Sequence, residues 1–303
     1  MIKVKRLGYA TFETRDLDKG IAYYTQVVGL RLVSRDAGQA YLCSRMGQLA
    51  VVLQKSTRDH CARIGFEISP EIDFSTGARR LFDLGIQCQV ASDPMPGVSR
   101  LLSFVDPKET TIELFTTWSF VEGTAKDEGV GAYKLGHIAF FCPDPAAMVE
   151  FYSKVLGFRL SDWIGDYFAF MRCGVDHHAV NFFKAPSTMM QHIAFELRDN
   201  SHLVRACDLL GRENLDILWG PVRHGPGHNI ATYHRNADDQ IVELFCDMDI
   251  MSDEELGYFE PRPWHRDRPQ KPKVWDPSRQ RDIWGLPNTP EFRRMTGQPK
   301  TAA

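Results

Sequence analysis

The chain repeats itself, and that repeat constrains its fold more than any other feature. GYATFETRDLDKGIAYYTQVVGLRLV from Gly8 aligns without gaps on GHIAFFCPDPAAMVEFYSKVLGFRLS from Gly136, an offset of 128 residues. The match resumes where IGFEI at Ile64 pairs with IAFEL at Ile193. It resumes again where TIELF at Thr111 pairs with IVELF at Ile241, the offset drifting only to 130. The 303 residues therefore hold two homologous modules, about 1–120 and 131–250, each large enough to bury its own core. Phe120–Val130, rich in glycine and charge, reads as the linker.

Both modules read alike. An alternating strand (Leu7–Thr14; Leu135–Cys142) leads through a polar turn into a helix with apolar residues at Leu17, Ile21, Tyr24 and Val28, or at Val149, Tyr152 and Leu156. Asp16 and Asp144 suit the N-caps, Pro145 the first helical turn, and Gly29 and Gly157 the C-terminal stops. Three more strands follow in each module, with a second helix near Phe74–Leu84 and Leu203–Leu210. The expectation is an α+β protein with two tandem βαβββ modules. Residues 251–303 differ: from Pro261 onward eight prolines and Trp264, Trp275 and Trp284 occupy 43 residues without a sustained period. This segment is expected to be an arm, packed on the surface or on a neighbouring subunit, or a lid over a pocket.

Composition excludes several partners. The 36 basic and 39 acidic residues are dispersed, so nothing suggests a surface for nucleic acid or an anionic membrane. The start, MIKVKRLGYATF, lacks an apolar signal core and no run of about 18 apolar residues occurs, so a cytoplasmic protein is expected. Seven cysteines stand singly with no C-x-x-C, which fits reduced, buried thiols. The histidines are uneven: of ten, only His60 precedes residue 137.

Unequal polar residues at equivalent positions show what one copy needs beyond folding. His137 stands opposite Tyr9, His192 opposite Arg63 and His178 opposite Leu49, while Glu243 matches Glu113. A metal site on these strands can therefore exist only in the second half. Strand alternation puts Ala139 on the face of His137 and Ala194 on that of His192. Ile138, Phe140, Ile193 and Phe195 point toward the core, and Glu243 projects away from Val242 and Leu244. Two imidazoles and one carboxylate are the ligand set of a non-haem Fe(II) facial triad.

With these residues in place, the chain over about 4–250 resembles the type I extradiol ring-cleaving dioxygenases, the catechol 2,3-dioxygenase family of the vicinal oxygen chelate (glyoxalase-like) superfamily. The resemblance implies His137, His192 and Glu243 as ligands of Fe(II), with Mn(II) tolerated by the same donors. It also implies roles for His178, 14 residues before His192, and for His224 and Tyr233, 19 and 10 residues before Glu243. His178 would be the acid–base group near oxygen, and His224 and Tyr233 would hydrogen-bond the substrate. The implied reaction is cleavage of a catechol or alkylcatechol with O2 to a 2-hydroxymuconic semialdehyde-type product, in a homo-oligomer (dimer or tetramer). Where the family has an acidic or amide residue followed by proline after the tyrosine, this chain has Asn236–Ala237, against Asp106–Pro107 in the first half; an altered turn is expected.

Other histidines are assigned no role. His177 aligns with Gln48 and is expected on the strand face opposite His178; His228 and His234 are expected to be non-catalytic, and His60, His202 and His265 have no partner by spacing. Arg172, Arg223 and Arg235 could bind a carboxylate-bearing catechol. Competing readings are a glyoxalase-like or antibiotic-modifying metalloenzyme, whose ligands come from both modules, and a small-molecule binding protein without metal. Tyr9 and Arg63 argue against the first. The company of His178, His224 and Tyr233 argues against the second.

Overall fold

The computed structural model describes residues 2–116, 118–123, 128–260, 270–278 and 282–297; Trp264, His265 and part of the expected linker lie outside them. The first half runs β1 (Val4–Thr14), α1 (Leu17–Tyr23), β2 (Arg31–Arg35), β3 (Gln39–Cys43), β4 (Leu49–Lys55), β5 (His60–Ile68), α2 (Phe74–Asp83), β6 (Cys88–Met95), β7 (Val98–Val105) and β8 (Thr111–Phe115). The second half repeats it as β9 (Lys134–Cys142), α3 (Pro145–Leu156), β10 (Arg159–Ile164), β11 (Phe168–Arg172), β12 (Val180–Lys184), β13 (Met189–Glu196), α4 (Asn200–Arg212), β14 (Trp219–His224), β15 (Ile230–Arg235) and β16 (Ile241–Cys246). Each half thus holds two βαβββ units, twice the strands expected. The short strands escaped notice because they lack clean alternation; β2, for example, is half-buried or exposed throughout.

The capping residues act as their chemistry dictates. Asp16 accepts from the Lys19 amide and Asp144 from the Ala147 amide, Pro145 opens α3, and Gly157 closes it with φ of 72°. Beyond α1 the Tyr24–Val28 turn is wound wider, as a π-helix, before Gly29 at φ 80°.

The first sheet has the order β2-β3-β4-β1-β5-β8-β7-β6, and the second repeats it as β10-β11-β12-β9-β13-β16-β15-β14. At each centre an antiparallel pair, β1 with β5 or β9 with β13, is flanked by parallel partners β4 and β8 or β12 and β16. One face of each sheet joins a common core. Tyr24 meets Phe195 with ring centroids 6.2 Å apart and Phe66 meets Phe158 at 5.4 Å. Ile138, Phe140, Ile193, Phe195, Val242 and Leu244 belong to this core, as alternation requires. The opposite faces keep separate clusters, around Tyr9 and Phe115 in one half and Ala194, Tyr233 and Phe245 in the other. Gly8 and Gly136 are needed there: a Cβ would lie 2.6 Å from Phe115 and 2.3 Å from Phe245, respectively.

The expected altered turn is not found. Asn236 Oδ1 accepts the amides of Asp238 and Gln240, both at 2.9 Å, as Asp106 Oδ1 accepts those of Lys108 and Thr110 at 3.1 and 3.0 Å. The side-chain oxygen, shared by Asp and Asn, sets this turn, so the proline is dispensable.

After Cys246 come β17 (Met251–Asp253), β18 (Tyr258–Phe259), β19 (Lys273–Trp275), β20 (Asp282–Gly285) and α5 (Pro290–Thr296). β19 pairs with β10 and β20 with β14, covering both edges of the second sheet. Among the described residues no helix is long and apolar enough to cross a membrane.

Candidate active site

β9, β13 and β16 are adjacent, and Ala194 is the register partner of both His137 and Glu243. With only a methyl between them, the side chains converge. His137 Nε2, His192 Nε2 and Glu243 Oε2 form a triangle with every side 3.1 Å. All three residues are buried, and their donor atoms form the one cluster of at least three metal-ligating groups found among the described residues.

This donor set fits a divalent cation on three counts. Ligands on one face of an octahedron, each about 2.1 Å from the ion, are about 3 Å apart. His192 Nδ1 donates its proton in a hydrogen bond to Gln191 Oε1 at 2.6 Å, leaving Nε2 with a lone pair aimed at the centre. Charge makes the third count. In the first half Glu113 receives the Tyr9 hydroxyl at 2.8 Å and the Arg63 guanidinium at 3.1 Å. At the equivalent point Glu243 has the Asn229 amide at 2.9 Å and the two imidazoles. The positive charge that neutralises the buried carboxylate in one half has no side-chain counterpart at Glu243 among the described residues. Burial alone would raise the pKa of Glu243, but the neighbouring imidazoles hold it well below the usual carboxylate range.

The other expected residues line the same cavity. The His178 ring lies 4.3 Å from that of His137. Burial, then the neighbouring His137 and His177 rings, push its pKa well below the ordinary value, favouring the neutral ring. His224 Nε2 is 2.8 Å from the Tyr233 hydroxyl, while its Nδ1 is 2.9 Å from Asp282. Burial works against the His224 imidazolium, but the Asp282 carboxylate outweighs it and raises the pKa. Phe168, Phe170, Phe183, Trp219 and Phe292 supply an aromatic wall.

The remaining histidines are placed elsewhere, with one surprise. His234 bonds Tyr23 of the first half at 2.7 Å, His228 bonds Asp249 at 2.6 Å, His202 bonds the Val130 carbonyl at 2.7 Å, and His60 pairs with Glu13 at 2.9 Å. The expectation for His177 fails: it does not sit on the far face of a strand. Both His177 and His178 precede β12 and face each other, Nδ1 to Nδ1, at 3.0 Å. Strand alternation does not apply to a turn. The three arginines do not line the cavity: Arg172 holds Glu254, Arg223 holds Asp247 and Arg235 holds Glu291.

Sequence reasoning missed Gln191, Asn229, Asn181 and Asp282, all of which line the cavity. Gln191 and Asn229 stand next to residues already singled out, His192 and His228, so neighbourhood could have flagged them. Asp282 carried no signal, because the arm has no counterpart in the first half.

Residues 134–240 match the model of the Glyoxalase/Bleomycin resistance protein/Dioxygenase superfamily. By sequence the chain is similar to 3-methylcatechol 2,3-dioxygenase of Pseudomonas putida, 27% identical over 80% of this chain and 89% of that protein. It is also similar to 2,2',3-trihydroxybiphenyl dioxygenase of Sphingomonas paucimobilis, 25% identical over 90% of this chain and 97% of that protein. The Mn(II)-bound glyoxalase of Novosphingobium aromaticivorans shares the fold, with a TM-score of 0.81 at 24% identity over 96% of this chain and 94% of that one. Residues 134–240 are therefore similar to the vicinal oxygen chelate domain of the Glyoxalase/Bleomycin resistance protein/Dioxygenase superfamily, and the relatives found by sequence are named as dioxygenases of catechols and biphenyl diols.

Proposed function

We propose that this protein cleaves the ring of a catechol with O2 beside the diol, giving a 2-hydroxymuconic semialdehyde-type product. The observation that carries the reading is the 3.1 Å triangle of His137, His192 and Glu243 within a cavity that also holds His178, His224 and Tyr233. The three would hold Fe(II), or Mn(II), both of which accept this donor set. When bound, the metal supplies acidity for a catechol hydroxyl, open positions for the diol and O2, and a route for electrons between them.

The chain's own groups do the rest. His178, neutral in its buried setting, takes a proton from the substrate and later returns one to the opened ring. When protonated, His224 donates from Nδ1 to Asp282 and from Nε2 to the Tyr233 oxygen, which frees the tyrosine hydroxyl to donate to a substrate oxygen. Phe168, Phe170, Phe183 and Trp219 hold the apolar ring and keep water from it. Among the described lining residues there is no Lys or Arg. The aromatic lining favours an uncharged catechol with an apolar substituent.

The test is anaerobic loading with Fe(II) or Mn(II), metal analysis, and turnover of catechol and 3-methylcatechol followed by the yellow product. His137→Ala and Glu243→Ala should lose the metal. His178→Asn should retain it and lose about 10²-fold or more in kcat. A loaded protein that opens no catechol ring would overturn the reading.

A further inference from the structure

Behind His178 lies a chain of buried hydrogen bonds that the proposed reaction has not used. Asp162, on β10 and 2% exposed, has three polar partners. Its Oδ1 accepts the Lys273 amide at 2.9 Å; its Oδ2 accepts the Trp275 indole at 2.6 Å and faces His177 Nε2 at 3.1 Å. An ionised carboxylate only accepts, so the His177 proton resides on Nε2. A neutral imidazole carries one proton, which leaves His177 Nδ1 as a bare acceptor. His178 Nδ1 lies 3.0 Å from it and can complete that contact only by donating. His178 then has no proton on its other nitrogen, Nε2.

We propose that Asp162 and His177 are positioning residues that hold His178 in the tautomer protonated at Nδ1 and bare at Nε2. The setting supports the assignment. His177 packs against Phe259, with ring centroids 4.9 Å apart, and against Phe170 at 5.9 Å. The chain tightens around Gly227, where a Cβ would come 3.1 Å from His177 Nδ1 and 3.2 Å from His178 Cε1. The first half has Ser34, Gln48 and Leu49 at the positions of Asp162, His177 and His178, so the relay exists only in the half with the imidazole cluster. Lys273 and Trp275 come from the C-terminal arm, which thereby fixes the orientation of Asp162.

The consequence for catalysis rests on the ring-cleavage reading; the tautomer does not. A proton taken from a substrate hydroxyl forms an N–H bond at His178 Nε2. The resulting positive charge is shared through the Nδ1 contact with His177, beside the Asp162 carboxylate. Return of that proton to product restores the starting tautomer, with no net change in the relay.

The experiment is 15N–1H correlation of the full-length, 15N-histidine-labelled protein, metal-free and loaded with diamagnetic zinc, with signals assigned through His177→Gln and His178→Asn. The expected result is a pyrrole-type Nδ1 and a pyridine-type Nε2 at His178, with the reverse at His177. Asp162→Asn should scramble that pattern and lower kcat by about 10–100-fold with KM little changed. A pyridine-type Nδ1 at His178, a doubly protonated His177, or an Asp162→Asn protein with wild-type spectrum and kcat would overturn the proposal. The wild-type spectrum alone is decisive if Asp162→Asn does not fold. Should the loaded wild-type protein open no catechol ring, the reading of function fails while the spectrum still judges the relay.

Discussion

Tyr233 and His234 are neighbours on β15 whose side chains go opposite ways, the first into the cavity and the second to Tyr23 in the first half. Burial pulls the pKa of His234 down to about 3. The folded chain keeps this ring neutral, whereas the unfolded chain binds a proton below about pH 6.5. Unfolding therefore takes up a proton between those values, and stability falls as pH drops from about 6.5 toward 3. His234→Gln should lessen the loss of urea resistance between about pH 7 and about pH 4. A variant with the wild-type acid slope would show that this ring does not carry the effect. The sequence assigns His234 no catalytic role, and strand alternation accounts for its separation from Tyr233. The same alternation, expected to part His177 from His178, fails there because both lie in a turn.

Among the elements, the arm changes most between sequence and structure. Its prolines and missing period leave it without a readable position, yet β19 and β20 extend the second sheet at both edges. α5 delivers Phe292, 1% exposed, against Trp219 and Tyr233 with ring centroids 5.0 and 5.4 Å away. The alternatives of surface packing and a lid are thus not exclusive within one chain: the arm packs on the sheet and forms part of the cavity wall. Phe292→Ala should cost about 3–5 kcal/mol in urea unfolding. If the cavity binds the aromatic substrate, the same variant should raise KM for a substituted catechol. An unchanged KM would show that this wall does not touch substrate.

Across the whole molecule the two halves share one core, which encloses the buried pair Asp106 and Lys108 at 2.5 Å. Tyr152 of the second half donates to Asp106 at 2.9 Å, and Lys108 lies 4.2 Å from the Phe140 ring centroid. Burial lowers the pKa of Lys108 despite its acidic partner. Lys108→Met strands a buried carboxylate and should cost about 3–5 kcal/mol, part of which Asp106→Asn in the same chain, which removes the charge and keeps the oxygen that sets the turn, should restore. Equal loss in the single and double variants, read by chemical denaturation, would mean that packing rather than charge dominates.

By itself the sequence determined the two-fold repeat, the helix caps, the core faces of the central strands, and the half in which imidazoles replace Tyr9 and Arg63. These are local or periodic properties, and the repeat supplied an internal reference for each. Tertiary structure alone decided that the three donor atoms meet at 3.1 Å, that His177 faces His178, and that a distant arm brings Asp282 to His224 and Trp275 to Asp162. Such contacts join residues separated by as many as 113 positions, with no period and no repeat partner to announce them. They depend on strand order and on where an irregular chain comes to rest, which neither composition nor spacing encodes.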